Sequence, residues 1–210
     1  MNELTPETAG AGPVPGRSFF KNPVVAFLIE IGKIIIVAVV IIFIVRYFLI
    51  QPFVVKGASM DPTFHDKEYL IVDEMSFRLR APVRGEVIVF HPPQHTATGA
   101  VGESDQYYIK RIIGLPGETV EVKDGKITIS NTEHPNGIVL DESYETQTTG
   151  NPQKVVVPAG QYFVMGDNRG ASLDSRIIGT IPFENFIGRV WIRGFPLDRL
   201  GTFAAPQYNF

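Results

Sequence analysis

The sequence predicts a mostly β protein: a coiled, antiparallel β-sheet domain carried on one N-terminal transmembrane helix. Three observations predict it. A continuous apolar run near the N-terminus is long enough to cross a bilayer. After residue 50, short β-branched and aromatic runs recur between turn signals. The 16 prolines and 20 glycines of the 210-residue chain, with few Ala-Leu-Glu-Lys stretches past that point, favour strands and turns over helices.

The apolar run extends from Ile31 to Ile50, which as a helix spans roughly 30 Å. Its uncharged centre, Ile34 to Val45, has Lys33 and Arg46 near its two ends, where long basic side chains reach the headgroups. The β-branched residues are no obstacle, because in lipid the backbone can satisfy its hydrogen bonds only within a helix. A cleavable secretory signal would need small residues just past the apolar stretch, and Arg46-Tyr47-Phe48-Leu49 stands there instead. A buried soluble helix would carry a polar stripe that this centre lacks. The anchor is therefore expected over residues 24–50. Residues 1–23, rich in Thr, Gly and Pro, read as a disordered cytoplasmic tail. Arg17, Lys21 and Lys33 favour the cytoplasm for that end, with Arg46 and Lys56 as counterweight, so the main domain is expected on the outer side of the cell membrane.

Residues 51–200 form the expected β domain, followed by a C-terminal tail, 201–210. Strand-like runs are Tyr69 to Val72, Glu86 to Phe90, Tyr107 to Ile113, Lys154 to Val157, Tyr162 to Met165 and Ile187 to Ile192. Val120-Glu-Val-Lys, then Asp124-Gly125, then Lys126-Ile-Thr-Ile is a hairpin signal, because a type I′ turn needs positive φ at both central residues. Residues 130–153 are polar and broken by Pro135, Gly137 and Gly150, which predicts a loop-rich excursion.

Composition narrows the function. With 19 basic and 22 acidic residues mixed along the chain, a net charge of −3 offers no basic field for nucleic acid. No cysteine is present, so disulfides and thiolate metal sites are excluded. An apolar content of 44% supports a real core.

A reactive serine needs a base and a trough for its substrate. In Gly57-Ala58-Ser59-Met60-Asp61-Pro62-Thr63, small residues before Ser59 let a substrate backbone approach, and Pro62 stiffens the turn. A serine in such a turn is also an ordinary capping residue. The histidines, His65, His91, His95 and His134, sit in loop-like or Pro-flanked stretches without an evident partner pattern. His91-Pro-Pro-Gln-His95 has ligand-like spacing, but its two prolines oppose a helical pair on one metal. Lys110 is the more interesting base: it lies in a strand whose alternate face carries Tyr108, Lys110 and Ile112. If that face points inward, desolvation disfavours the ammonium and a neutral amine can take the serine proton. The competing reading makes Lys110 and Arg111 solvated charges on an edge strand. The third patch is the polar loop Gly166 to Arg176, where Ser172 could orient an amine and Asp174 with Arg176 could fix the loop. Asp167, Asn168 and Asp174 are also oxygen donors of the kind a calcium loop uses, although Arg169 and Arg176 are badly placed for a cation.

In this order the patches resemble bacterial type I signal peptidases, also called leader peptidases, which are Ser-Lys dyad serine proteases. The match runs from the anchor through Gln51-Pro52-Phe53, Ser59-Met60-x-Pro62-Thr63 and Arg84-Gly85-Glu86-Val87 to Tyr108-Ile109-Lys110-Arg111 with Gly114-Leu115-Pro116-Gly117. It ends with Gly166-Asp167-Asn168-Arg169 and Asp174-Ser175-Arg176, covering roughly residues 31–193.

The resemblance implies a membrane-bound endopeptidase that removes signal peptides from exported preproteins after small residues, Ala-x-Ala in pattern, beside the export machinery and the lipid bilayer. It implies Ser59 as nucleophile, Lys110 as general base, and Ser172 hydrogen-bonded to the lysine. Asp174 and Arg176 would support the loop. Phe53, Val55, Met60, Phe64, Tyr108 and Ile109 would shape shallow apolar pockets for a substrate bound as an added strand. No cofactor or metal is implied. One departure is Gly57, where many members carry a hydroxyl residue as an oxyanion donor; a lost donor costs about 3 to 4 kcal/mol. Two alternatives stand beside this reading. One is an anchored β module that binds extended peptides without cutting them; the other is a Ser-Lys relative with another task, such as a self-cleaving repressor, which would need a DNA-binding head.

Overall fold

The computed structural model of the chain describes residues 23–48, 50–93, 106–144 and 152–209. The expected disordered tail, except Pro23, lies outside the described residues, as do His95 and residues 145–151 of the excursion. The apolar segment forms helix α1, Pro23–Phe48, with proline at the position where its missing N–H costs nothing. The stretch Pro23–Phe43 is long and apolar enough to cross a membrane. A Glu30–Lys33 ion pair at 2.9 Å joins one face of its first half. The apolar run continues to Ile50 in sequence, but the helix stops at Phe48. Gln51 precedes Pro52 and is biased toward extended backbone, and Ile50 already pairs in a sheet.

Among the described residues the β domain holds twelve strands: β1 (Ile50–Val54), β2 (Tyr69–Asp73), β3 (Val87–Phe90), β4 (Tyr108–Gly114), β5 (Thr119–Lys123), β6 (Lys126–Ser130), β7 (Ile138–Val139), β8 (Gln153–Val156), β9 (Gln161–Met165), β10 (Ile181–Pro182), β11 (Phe186–Phe195) and β12 (Gly201–Thr202). The larger sheet has the order β1-β2-β11-β3-β4-β9-β10, with β12 paired to β11, and the smaller one the order β7-β6-β5-β8. Every pairing is antiparallel, as the sequence predicts for the fold. Bulges in β11 and β4 break the register and curl the large sheet.

The predicted hairpin closes between Lys123 and Lys126, with Asp124 at φ 49° and Gly125 at φ 76°, as a type I′ turn requires. The excursion is not loop throughout: β7 extends the small sheet on β6, and β8 returns to β5. The stretch expected as a C-terminal tail does not stand apart. Thr202 pairs with Ile192, Phe203 packs on Phe64 with ring centroids 4.3 Å apart, and Tyr208 packs against the core under the small sheet. Its aromatic side chains, spaced among small residues, give it apolar area to bury.

Among the described residues three apolar clusters make the core, and β4 touches all three. Ile113 joins the cluster of Val120, Ile129 and Phe163 under the small sheet. Ile109 packs on the cluster of Val55, Met60, Phe64, Leu70 and Val190. Ile112 belongs with Ile88, Phe90 and Val164, and Tyr108 packs against the same group. A lysine in the middle of β4 is therefore held among apolar side chains by the strand's own alternation.

Candidate active site

Ser59 sits on a loop whose ends are tied together: Val55 N–H donates to the Glu68 carbonyl and Lys67 N–H to the Val55 carbonyl, both at 2.9 Å. Within it Gly57 takes φ 87°, a conformation that favours glycine, and its N–H donates to Asp66 Oδ1 at 2.8 Å. Met60 and Phe64, both fully buried, plug the loop into the core. Thr63 Oγ1 donates to Asp167 Oδ2 at 2.5 Å, and the guanidinium of Arg193 donates to the Thr63 carbonyl. The serine is thus a partly buried residue on a loop fixed from both sides.

Lys110, only 4% exposed, brings its Nζ to 2.7 Å from Ser59 Oγ. Nζ also donates to the Ile109 carbonyl at 2.8 Å and lies 5.7 Å from the centroid of the Tyr108 ring. Burial pushes the ammonium down from its ordinary 10.5 to about 8, against the opposing pull of Asp174 and Asp167. The solvated edge-strand reading of this lysine fails, because β4 is an interior strand between β3 and β9.

The polar loop after β9 packs directly on the serine. Asn168 N–H donates to the Ser59 carbonyl at 3.1 Å. Asp174 accepts from Gly166 N–H at 3.0 Å and from Arg176 through Nε and Nη2, each at 2.8 Å. Arg176 Nη2 donates further to the Arg169 carbonyl at 2.7 Å, so Asp174 and Arg176 staple the loop to itself. Asp167 is gripped by Arg111, Nε to Oδ1 at 2.8 Å and Nη2 to Oδ2 at 2.6 Å. Both aspartates that a calcium loop would use are thus engaged by guanidinium groups. Among the described residues, no group of three or more His, Asp or Glu could hold a metal ion. The Ser172 hydroxyl lies buried beside Gly166 without a hydrogen-bond partner, so the Lys110–Ser172 bond that the resemblance implies is not formed here.

Similarity to known proteins extends over most of the chain. A family model described as signal peptidase, peptidase S26, matches residues 28–195. The chain belongs to the signal peptidase family. A probable signal peptidase I-2 of Synechocystis sp. is 38% identical over 174 residues, 82% of this chain and 76% of that one. Signal peptidase I of Leptolyngbya laminosa is 35% identical over 209 residues, 96% of this chain and 95% of that one. A crystal structure of a signal peptidase I from Enterococcus faecalis is 32% identical and covers 53% of this chain and 97% of that chain, with a TM-score of 0.42. The chain is a serine protease of the signal peptidase I kind.

Beside the Ser59–Lys110 pair of this signal peptidase runs a groove of about 470 Å³. Phe53, Val55, Tyr108 and Ile109 line it, as do Gln106, Tyr107, Ala171 and Leu173. Met60 and Phe64, expected on its wall, lie instead in the core cluster beneath it, where the loop needs their apolar bulk to hold Ser59. Ala171 and Leu173 escaped sequence reasoning because only tertiary folding brings their loop to the groove. Arg111 and Asp167 carried a readable signal: an arginine next to an inward lysine on a strand points to the other face, and when buried it must find a carboxylate.

Proposed function

We propose that this chain cleaves signal peptides from exported preproteins after small residues, Ala-x-Ala in pattern, with Ser59 as nucleophile and Lys110 as general base. The observation that carries the reading is the 2.7 Å approach of a buried lysine, its ammonium pushed down to about 8, to the serine hydroxyl. The neutral amine of Lys110 accepts the Ser59 proton as Oγ attacks the scissile carbonyl. The Ser59 backbone N–H serves as a donor for the oxyanion, since Gly57 offers no hydroxyl. The lysine ammonium then protonates the departing amine of the mature protein, leaving the signal peptide as an ester on Ser59. A water, deprotonated by the same amine, hydrolyses that ester and restores the enzyme. Ser172, Asp174 and Arg176 act as supports, Ser172 by donating to the amine once its hydroxyl turns toward it.

The substrate lies extended in the groove between β1 and the start of β4, where main-chain bonds supply affinity and shallow walls at Phe53, Val55, Tyr108 and Ile109 admit only small side chains. Helix α1 anchors the enzyme in the cell membrane, N-terminus in the cytoplasm and β domain outside, beside the export machinery that delivers preproteins. Apolar residues near Phe53 rest on the lipid.

Cleavage of a preprotein with an Ala-x-Ala site by the detergent-solubilised protein, across pH, tests this. Wild type is expected to cleave with a rate that rises as pH passes about 8, where the amine loses its proton. Ser59→Ala and Lys110→Met, which keeps length and apolarity, are expected to bind and not cut. Full activity in Lys110→Met would refute the dyad, and binding without cleavage by all three proteins would leave a peptide-binding module.

A further inference from the structure

Residues 140–144, which follow β7, do not line the groove, yet they reach the catalytic loop through one buried side chain. Gly166 is the tightest point of that loop: a Cβ there would lie 2.4 Å from the Ser59 carbonyl oxygen and 2.3 Å from the Ser172 hydroxyl. Its peptide is held at both ends, the N–H by Asp174 and the C=O by Arg169 Nε at 2.9 Å. The Arg169 side chain is fully buried, and its charge is met from outside the loop by Glu142, with Nη1 at 3.0 Å from Oε2 and Nη2 at 2.5 Å from Oε1. Glu142 in turn accepts from Tyr144 Oη at 2.8 Å. The Tyr144 and Tyr208 hydroxyls lie 2.7 Å apart, and the Arg111 guanidinium covers the Tyr144 ring at 4.0 Å. Burial, with the Glu142 charge beside it, raises the Tyr144 pKa and keeps its hydroxyl protonated as a donor.

We propose that Glu142 is a positioning residue for peptide cleavage: through buried Arg169 it fixes the Gly166 peptide against Ser59 and Ser172, with Tyr144 and Tyr208 holding the carboxylate in place. The proposal rests on the Ser59–Lys110 reading. A buried ion pair is a weak source of stability, since apolar pairs of similar volume often serve as well or better. An apolar pair cannot grip a carbonyl. With the carboxylate neutralised, the paired grip of Glu142 on the buried guanidinium loses its charge, and the side chain that holds the Gly166 carbonyl is no longer fixed from the side away from the loop. The Gly166 peptide then leaves its place under Ser59. Because Glu142 does not line the groove, binding of the substrate strand should be spared.

The experiment compares kcat and KM for a signal-peptide substrate, together with thermal midpoints, in the full chain in detergent. The isosteric Glu142→Gln is expected to lower kcat tenfold or more with KM within twofold. The double variant Glu142→Leu/Arg169→Met replaces the ion pair by an apolar one. It is expected to keep a near-wild-type midpoint while kcat stays at least tenfold down, because nothing grips the Gly166 carbonyl. Recovery of kcat together with the midpoint in the double variant would make the pair merely structural and overturn the proposal. So would unchanged kcat in Glu142→Gln, which needs no repacking and decides the matter if the double variant does not fold, or a loss carried by KM alone. Ser59→Ala run alongside separates the two readings: residual cleavage there overturns the dyad, and the proposal with it, whereas kcat recovery in the double variant overturns the positioning role alone.

Discussion

Replacing Lys110 by methionine should remove a cost that folding imposes on this domain. Burial lowers the amine from 10.5 to about 8, and each pH unit of displacement is worth about 1.4 kcal/mol. At pH 7 both states are largely charged, so the folded state gives up about 3 kcal/mol to hold the ammonium. The sign follows from proton counting: between the folded and unfolded values the unfolded chain binds more protons, so raising the pH stabilises wild type. By about pH 10 most of that cost is gone. Methionine forfeits the bonds to Ser59 Oγ and the Ile109 carbonyl, about 1 kcal/mol each. Lys110→Met should therefore be about 1 kcal/mol more stable than wild type at pH 7, and its advantage should fall by about 2 to 3 kcal/mol on going to pH 10. Urea unfolding in detergent at several pH values, followed by the fluorescence of Trp191, the single tryptophan, in β11, measures this. A stability difference that stays flat across pH would mean that the amine binds its proton equally in the folded and unfolded states, with no depression by burial, and the general-base argument would fall with it.

Two further substitutions test the loop that carries Ser172. Gly166→Ala should reduce kcat at least a hundredfold, because its methyl group meets the Ser59 carbonyl at 2.4 Å and the Ser172 hydroxyl at 2.3 Å; steady-state kinetics near wild-type values would show that the loop yields freely. Asp167→Asn leaves the buried Arg111 guanidinium without its carboxylate and should cost about 3 to 5 kcal/mol in urea unfolding; a loss under 1 kcal/mol would mean that the Tyr144 ring and the Gly85 carbonyl suffice to hold that charge.

What could be read from the sequence was what local chemistry decides. Asp124-Gly125 names its turn because few residues tolerate positive φ, and β4 is legible as a short run rich in β-branched and aromatic residues. Lys110 stood out as a cation in an apolar strand, and its approach to Ser59 could be guessed only with the family resemblance beside it. What escaped depends on distant partners. β1 hid in the end of the apolar helix run, since Ile50 and Phe53 suit a membrane as well as a sheet, and only pairing with β2 decides. Glu142 looked like one more charge in a polar excursion; its burial depends on Arg169, 27 residues away, and on Tyr208, whose hydroxyl meets Tyr144 64 residues back. Met60 and Phe64, which the resemblance implies for the groove, turn into the core instead, because a motif does not say which way a loop turns its side chains.

The distance along the chain between Ser59, Lys110 and the Gly166 loop has a consequence for how the enzyme comes into being. An extended chain holds its lysine near 10.5, where roughly one molecule in 3,000 carries a neutral amine at pH 7; burial to about 8 makes it roughly one in 10. On the proposed dyad the base is thus created by closure of the sheet, when β4 is enclosed between β3 and β9.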